Sequence, residues 1–300
     1  MIRLRRSELA VPASNERMIQ KAASSDADLV FLDLEDAVAP SGKEDARELA
    51  IRSLNELDWG HRVRAVRVND AQTRWAHDDI IEVVTRAGRN LDVLILPKIR
   101  APRDVWFFET LVTQLEDKLG LERPIGFEIL IEEAEALSRV EELAACSPRL
   151  EALILGFGDL AASLGFRHGH VDPADAYPGD PWHHARARII AAARTNGLDS
   201  IDGPYAFIDD PEGYRREATW ASTLGSVGKW AIHPSQIAPA NEVYGPTEQE
   251  IATARMLCDA YEASVAGGDG AGASDGVLVD AASLRLFSAV LQRAELIAGR

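Results

Sequence analysis

The sequence predicts a closed (β/α)₈ barrel, an α/β fold of the TIM-barrel type, followed by a C-terminal lid or arm. Three observations carry this. Eight short apolar runs recur along the chain, longer stretches of helical periodicity lie between them, and no GxGxxG or GxxxxGK[ST] loop follows any of them. Alternating strand and helix argues for a parallel sheet. Eight such units fit a closed barrel better than an open doubly wound sheet, whose phosphate loop is missing here.

The runs, in order, are Leu9–Ala13, Leu29–Asp36, Arg64–Asn69, Val93–Lys98, Ile125–Glu132, Ala152–Asp159, Leu198–Pro204 and Lys229–Pro234. VLILP and ALILGF are apolar at consecutive positions, the pattern of a parallel strand buried on both faces. Between them, Glu44–Leu57 places Ala46, Leu49, Ala50 and Leu54 on one stripe, and Asp104–Gly120 has an acidic start, an apolar face and a glycine stop. EEAEALSRVEELAAC, HHARARIIAAARTNG and DPEGYRREATWASTLG repeat the pattern. The segment Gly165–His184, rich in Gly, Pro and His, reads as a long βα loop over the active face. Ala266–Gly276 is a flexible linker by composition, and an amphipathic helix follows it. The expected division is therefore a barrel over residues 1–265 and a linker with a lid over residues 266–300.

With 300 residues, 46% of them hydrophobic, the chain can build one large core. A net charge of −16 excludes a phosphate-backbone grip, so no nucleic-acid partner is expected, although Arg3, Arg5 and Arg6 form a small basic cluster. The two cysteines, Cys146 and Cys258, form no metal spacing and no disulfide framework, as expected in a reducing cytoplasm. The N-terminus lacks the apolar core of a secretory signal and no run is long enough to span a membrane, so no membrane partner is expected.

In a barrel, polar residues at the C-terminal strand ends converge on one mouth. Those ends carry Asp33, Glu35 and Asp36; Arg67 and Asn69; Lys98; Glu128 and Glu132; Asp159; Asp202; and His233. Glu132 and Asp159 follow neighbouring strands, and two carboxylates with open positions suit Mg²⁺. Spacing leaves a second reading open, in which Asp159 only favours a helix N-terminus. Arg67, in an apolar strand, is either a mouth cation or half of a structural pair with Glu35 or Asp36. His168, His170, His183 and His184 match no metal spacing. No GxSxG supports a Ser-His-Asp triad. Asp280, an acid among apolar residues in the tail, points to nothing by itself.

RSELAVPASNERMIQKA, FLDLEDAVAP, VRVN, LPK, the strand-end IE, FGDLAAS, IDGPY and GKWAIHPSQI occur in this order. Together they resemble the citrate lyase β-subunit/HpcH family of Mg²⁺-dependent CoA-ester lyases, over almost the whole chain. GDPWHHARARIIAAAR and the tail VDAASLR are most similar to its malyl-CoA/β-methylmalyl-CoA branch. The resemblance implies a (β/α)₈ barrel in a homotrimer or hexamer. It implies Mg²⁺, or Mn²⁺, on Glu132 and Asp159, and Arg67 at the reacting carbonyl or oxyanion. It implies Asp280 as an acid/base reaching a neighbouring subunit's mouth. Coenzyme A, as part of the substrate, would lie across the mouth, with Arg17 and Lys21 at its phosphates and Ser14 and Asn15 in the same turn. The implied chemistry is reversible Claisen cleavage of an acyl-CoA, releasing a 2-oxoacid such as glyoxylate. Thioester hydrolysis, a citryl-CoA lyase-like activity and a non-catalytic CoA-binding subunit remain alternatives. Family members often carry Thr after the metal Glu, whereas Glu133 stands here. Ala-Ala follows Asp280 rather than the Pro-His of citryl-CoA-like members.

Overall fold

A computed structural model describes residues 3–166, 179–268, 271–274 and 277–300. The predicted loop from Gly165 to His184, with His168 and His170, falls largely outside these residues.

The first half of the barrel runs β1 (Ser7–Pro12), α1 (Glu16–Ala22), β2 (Leu29–Asp33), α2 (Lys43–Glu56), β3 (Val63–Arg67), α3 (Ala76–Ala87), β4 (Val93–Leu96) and α4 (Pro102–Leu119). It continues with β5 (Gly126–Ile131), α5 (Ala134–Ser138), α6 (Val140–Ala144), β6 (Leu150–Leu155), α7 (Phe157–Ser163) and α8 (His183–Thr195). β7 (Asp199–Asp202), α9 (Pro211–Leu224), β8 (Gly228–Ala231) and α10 (Ile237–Tyr244) complete it. Among the described residues, eight parallel strands pair in sequence order and β8 closes on β1, as predicted.

Each apolar run forms a strand, but most strands stop short of the polar end of their run. β2 ends at Asp33, β4 at Leu96 and β6 at Leu155. Leu34 and Gly156 still donate to the neighbouring strand, and past them strict alternation no longer governs the side chains. Helix boundaries follow local chemistry. α4 opens on Pro102, Asp104 accepts the amides of Arg100 (2.8 Å) and Ala101 (2.9 Å), and Gly120 closes it in the left-handed conformation. α9 is capped by Asp210, which accepts the Gly213 amide at 2.9 Å.

The apolar runs bury two layers. One packs between strands and helices, and a smaller one fills the barrel lumen with Phe31, Ile95, Leu130, Ile154 and Trp230. The lumen is thus a packed core rather than a pore. At the N-terminal strand ends, Arg5 ties together Glu128 (2.7 Å), Asp199 (3.3 Å) and Glu151. Glu128, expected at the mouth, therefore lies at the opposite end: it is the third residue of β5, too early in the strand to reach the C-terminal rim. Glu8, wholly buried beside it, accepts the Trp230 indole N–H at 2.9 Å. Burial first, and the nearby Glu128 charge second, push its carboxyl well above the usual range.

Residues 5–241 form one compact unit; residues 1–4 and 242–300 form another. The second unit holds α11 (Glu248–Ala266), β9 (Gly272–Ser274), β10 (Val277–Val279) and α12 (Ala281–Ala298). β9 and β10 make an antiparallel pair, and α11 and α12 pack on each other. α11, included in the barrel span by sequence, thus groups with the tail. Thr247 and Glu250 cap it reciprocally. No helix among the described residues is long and apolar enough to cross a membrane.

Barrel closure depends on Gly228. A Cβ there would lie 1.7 Å from the Arg5 carbonyl oxygen, at the seam where β8 meets β1. Gly228→Ala is expected to cost at least about 2 kcal/mol, the scale of forced overpacking, as measured by urea denaturation.

Candidate active site

Asp33 and Arg67 are direct cross-strand partners on β2 and β3, so their side chains leave the sheet together. Arg67 forms a fork on Asp33, with Nε to Oδ1 at 2.8 Å and Nη2 to Oδ2 at 2.6 Å. Its Nη1 lies 3.1 Å from Glu35 Oε2. The sequence reading offered Glu35 or Asp36 as partners; Asp33 holds the arginine most closely. Asp33 also accepts the amides of Glu35 (2.8 Å) and Ala37 (3.2 Å), which turns the chain sharply after β2. That turn brings Glu35 back over the mouth, contrary to the expected alternation along one long strand. The guanidinium lies over the Trp230 ring at 5.4 Å. Burial opposes its charge, but Asp33 and Glu35 outweigh it and hold Arg67 firmly cationic.

Lys98, two residues past β4, stands among the carboxylates of the mouth. Among the described residues it is the one non-glycine with positive φ, at 51°. Its amide donates to Glu132 Oε1 at 2.6 Å. Its ammonium contacts Glu35, lies 3.1 Å from Asp36 Oδ2, and stands 3.9 Å from Asp159 Oδ2. Burial lowers its proton affinity, but Glu35, Glu132 and Asp36 raise it above the ordinary value.

Glu132 is 2% exposed, the first residue past β5. Oε1 takes the Lys98 amide; among the described residues Oε2 accepts no hydrogen bond. Burial, only partly offset by that amide and the Lys98 charge, pushes its carboxyl up to about 8. Gly156 makes room for it: a Cβ there would lie 2.5 Å from the Glu132 Cβ and 2.9 Å from Oε2. Asp159 lies in the first turn of α7, where its half-exposed carboxylate suits the helix dipole.

A cavity of about 310 Å³ joins these groups. Asp33, Arg67, Glu132 and Asp159 line its polar side; Leu130, Phe157 and Trp230 line its apolar side. The donor set fits a hard divalent cation: Glu132 and Asp159 offer carboxylate oxygens to one cavity, and neither is consumed by a close ion pair. A cation held there leaves positions for water and for oxygen atoms of a bound molecule.

The other predicted residues are placed differently. Ser14 and Asn15 precede α1, Arg17 lies in its first turn and Lys21 in its last; all four are exposed and do not line the cavity. Asn15 accepts the Met18 amide at 3.1 Å and caps that helix. Asp280 belongs to the second unit, where Oδ1 accepts the amides of Ala282 (2.9 Å) and Ser283 (2.8 Å) and caps α12. The Ser283 contacts draw its carboxyl below the usual range. Glu133 has its own partners, Arg100 at 2.8 Å and the Ser163 hydroxyl at 3.1 Å, and so ties β5 to the end of α7. Asp202 is held by Lys229 (2.6 Å) and Arg186 (2.9 Å), and His233 accepts the Ser235 amide in its own turn.

The family model described as HpcH/HpaI aldolase/citrate lyase matches residues 6–234. The chain is 41% identical to L-malyl-CoA/beta-methylmalyl-CoA lyase of Cereibacter sphaeroides, over 97% of this chain and 95% of that protein. It is 34% identical to a (3S)-malyl-CoA thioesterase from the same species, over 98% of this chain and 95% of that protein. Among solved structures, CitE from Mycobacterium tuberculosis, in complex with magnesium, acetoacetate and coenzyme A, superposes with a TM-score of 0.74 at 28% identity. That match covers 96% of this chain and 97% of CitE.

A carboxyl raised by burial binds its proton more tightly folded than unfolded. Its stabilising contribution is complete below the ordinary value near 4.5 and is lost as pH rises through about 8. In protein stripped of divalent ions, stability is expected to fall between pH 5 and 8, and Glu132→Gln is expected to flatten the Glu132 part of that slope. Urea midpoints of both proteins across this range check it.

Proposed function

The chain belongs to the HpcH/HpaI aldolase/citrate lyase family, and on that premise we propose that it is a Mg²⁺-dependent CoA-ester lyase. The substrate is L-malyl-CoA or β-methylmalyl-CoA, and the reaction is reversible Claisen cleavage to acetyl-CoA or propionyl-CoA and glyoxylate. The observation that carries this reading is full-length identity of 41% to a malyl-CoA/β-methylmalyl-CoA lyase, joined to a cavity that offers Arg67, Glu132 and Asp159 together.

Glu132 and Asp159 are the proposed ligands of Mg²⁺, or of Mn²⁺ in its place. The ion supplies Lewis-acid polarisation of a 2-oxoacid carbonyl. Arg67, fixed by Asp33, presents a permanent positive charge that balances negative charge developing on the carbonyl oxygen. Asp280 is the proposed base: in the synthetic direction it takes the α-proton of the acyl-CoA. The α-carbon then bonds to the glyoxylate carbonyl carbon, whose oxygen becomes the product hydroxyl. In cleavage the hydroxyl proton passes through water to Asp280, the electrons of that carbon–carbon bond go to the α-carbon as it breaks, and Asp280 delivers the proton to the α-carbon. Its capping duty engages Oδ1, and Oδ2 takes no hydrogen bond among the described residues. Arg17 and Lys21, with Ser14 and Asn15 beside them, are the proposed contacts of the coenzyme A phosphates. A cytoplasmic homotrimer or hexamer, with Asp280 serving a neighbouring mouth, completes the reading.

The similarity to a malyl-CoA thioesterase favours one rival, in which water attacks the thioester and free malate forms. Incubation with malyl-CoA and Mg²⁺, followed by mass spectrometry, separates them: the lyase yields glyoxylate and acetyl-CoA, the thioesterase yields malate and free CoA.

Glu132→Ala and Asp159→Ala are each expected to lower turnover by at least about 10³-fold with the fold retained by circular dichroism; normal turnover in either removes it from the ligand set. Asn caps helices as well as Asp does. Asp280→Asn is therefore expected to keep α12 intact and abolish exchange of the acetyl-CoA α-proton with deuterium, followed by NMR. Exchange at the wild-type rate would mean that the base lies elsewhere. Co-expressed Glu132→Ala and Asp280→Asn chains are expected to regain activity if the tail serves a neighbour.

A further inference from the structure

Lys98 is the second cation of the mouth, and the proposed reaction does not use it. One residue reaches four of the mouth's carboxylates: its amide holds Glu132 Oε1 at 2.6 Å, and its ammonium contacts Glu35, Asp36 (3.1 Å) and Asp159 (3.9 Å). It does so from a left-handed backbone, φ 51°, that a lysine adopts only where its surroundings hold it. This conformation points amide and side chain into the same site. The ammonium is itself pinned, because Glu35 is also held by Arg67 at 3.1 Å.

We propose that Lys98 is a positioning residue and an internal competitor for the divalent cation: its ammonium neutralises Asp159 and Glu35 when the metal is away and sets the affinity with which the metal binds. This inference rests on Glu132 and Asp159 being the metal ligands. The amide and the ammonium have separate duties. The amide fixes which Glu132 oxygen remains open, and any residue at position 98 keeps that donor except proline. The ammonium places a full positive charge within 3.9 Å of Asp159, so a dication coordinating the same carboxylate is repelled by it. A site built this way binds its metal more weakly than its carboxylates alone allow. The ammonium also offsets part of the carboxylate charge when no metal is bound.

The test is Mn²⁺ binding to substrate-free protein, read from the free Mn²⁺ signal in electron paramagnetic resonance. Lys98→Met removes the charge and keeps the chain length, and is expected to bind Mn²⁺ about tenfold more tightly, the scale of one exposed charge acting on a dication at a few ångströms. Lys98→Arg keeps the charge and is expected to bind as the wild type does. Lys98→Gly relieves the positive φ, so it is expected to be the stablest of the three in urea and, like Lys98→Met, to bind more tightly. It also serves if Lys98→Met fails to fold. Unchanged or weaker binding in both uncharged variants, beside measurable wild-type binding, overturns the role of Lys98 alone. Absence of Mn²⁺ binding in every protein, wild type included, overturns the metal reading and this inference with it.

Discussion

A carboxylate buried to 2% exposure, with one oxygen held and the other open, is the constraint on which the mouth depends. Glu132 can sit there only because Gly156 offers no Cβ and because the Lys98 amide points at it. Both conditions are backbone conditions. They fix the side chain more tightly than a surface ion pair does, since an exposed pair yields to solvent and salt. The same logic runs through Arg67, whose planar fork is matched by Asp33 directly across the ladder. The barrel thus contributes more than a scaffold: its strand register sets which charges face one another.

Much of this was legible in the sequence. Eight short runs became eight strands because each is too brief for a helix and is set between helical stretches. Glu132, Asp159 and Arg67 share one cavity, as the convergence of strand ends predicts. What was not legible lies where the chain leaves the ladder. Asp33, Glu35 and Asp36 looked incompatible on one extended strand, yet the turn that Asp33 builds with its own carboxylate brings all three to Arg67 or Lys98. Glu128 was misread as a mouth residue because a run of residues shows no partner; Arg5, over a hundred positions away, holds it at the far end. Lys98 gave one faint signal, its place just after Pro97, but no pattern announces a left-handed lysine. The unit boundary at Asn241 was hidden for a similar reason: α11 has ordinary helical periodicity, and only packing assigns it to the tail.

Asp280, the proposed base, is in the structure the cap of α12. The hydrogen bonds that make it a cap draw its proton affinity down. An ionised carboxylate is the form a base needs, although a low proton affinity makes it a weaker one. For such a base to act on a thioester α-carbon, the negative charge it generates must be absorbed by the site. Arg67 is the cation suited to that task, because its own partners prevent it from losing charge.

The electrostatics of the mouth then dictate an order of events. Asp33, Glu35, Asp36, Glu132 and Asp159 surround two cations, Arg67 and Lys98. With these carboxylates ionised, the region carries residual negative charge, and an anionic acyl-CoA or 2-oxoacid would meet repulsion there. Burial answers part of this by holding the Glu132 proton to about 8. A divalent cation on Glu132 and Asp159, the proposed ligands, would take the place of that proton, offset the carboxylate charge and favour anionic substrates. The raised affinity of Glu132 for a proton and its proposed role as a metal ligand share one origin, a buried carboxylate with one oxygen held by the Lys98 amide and the other turned to the cavity.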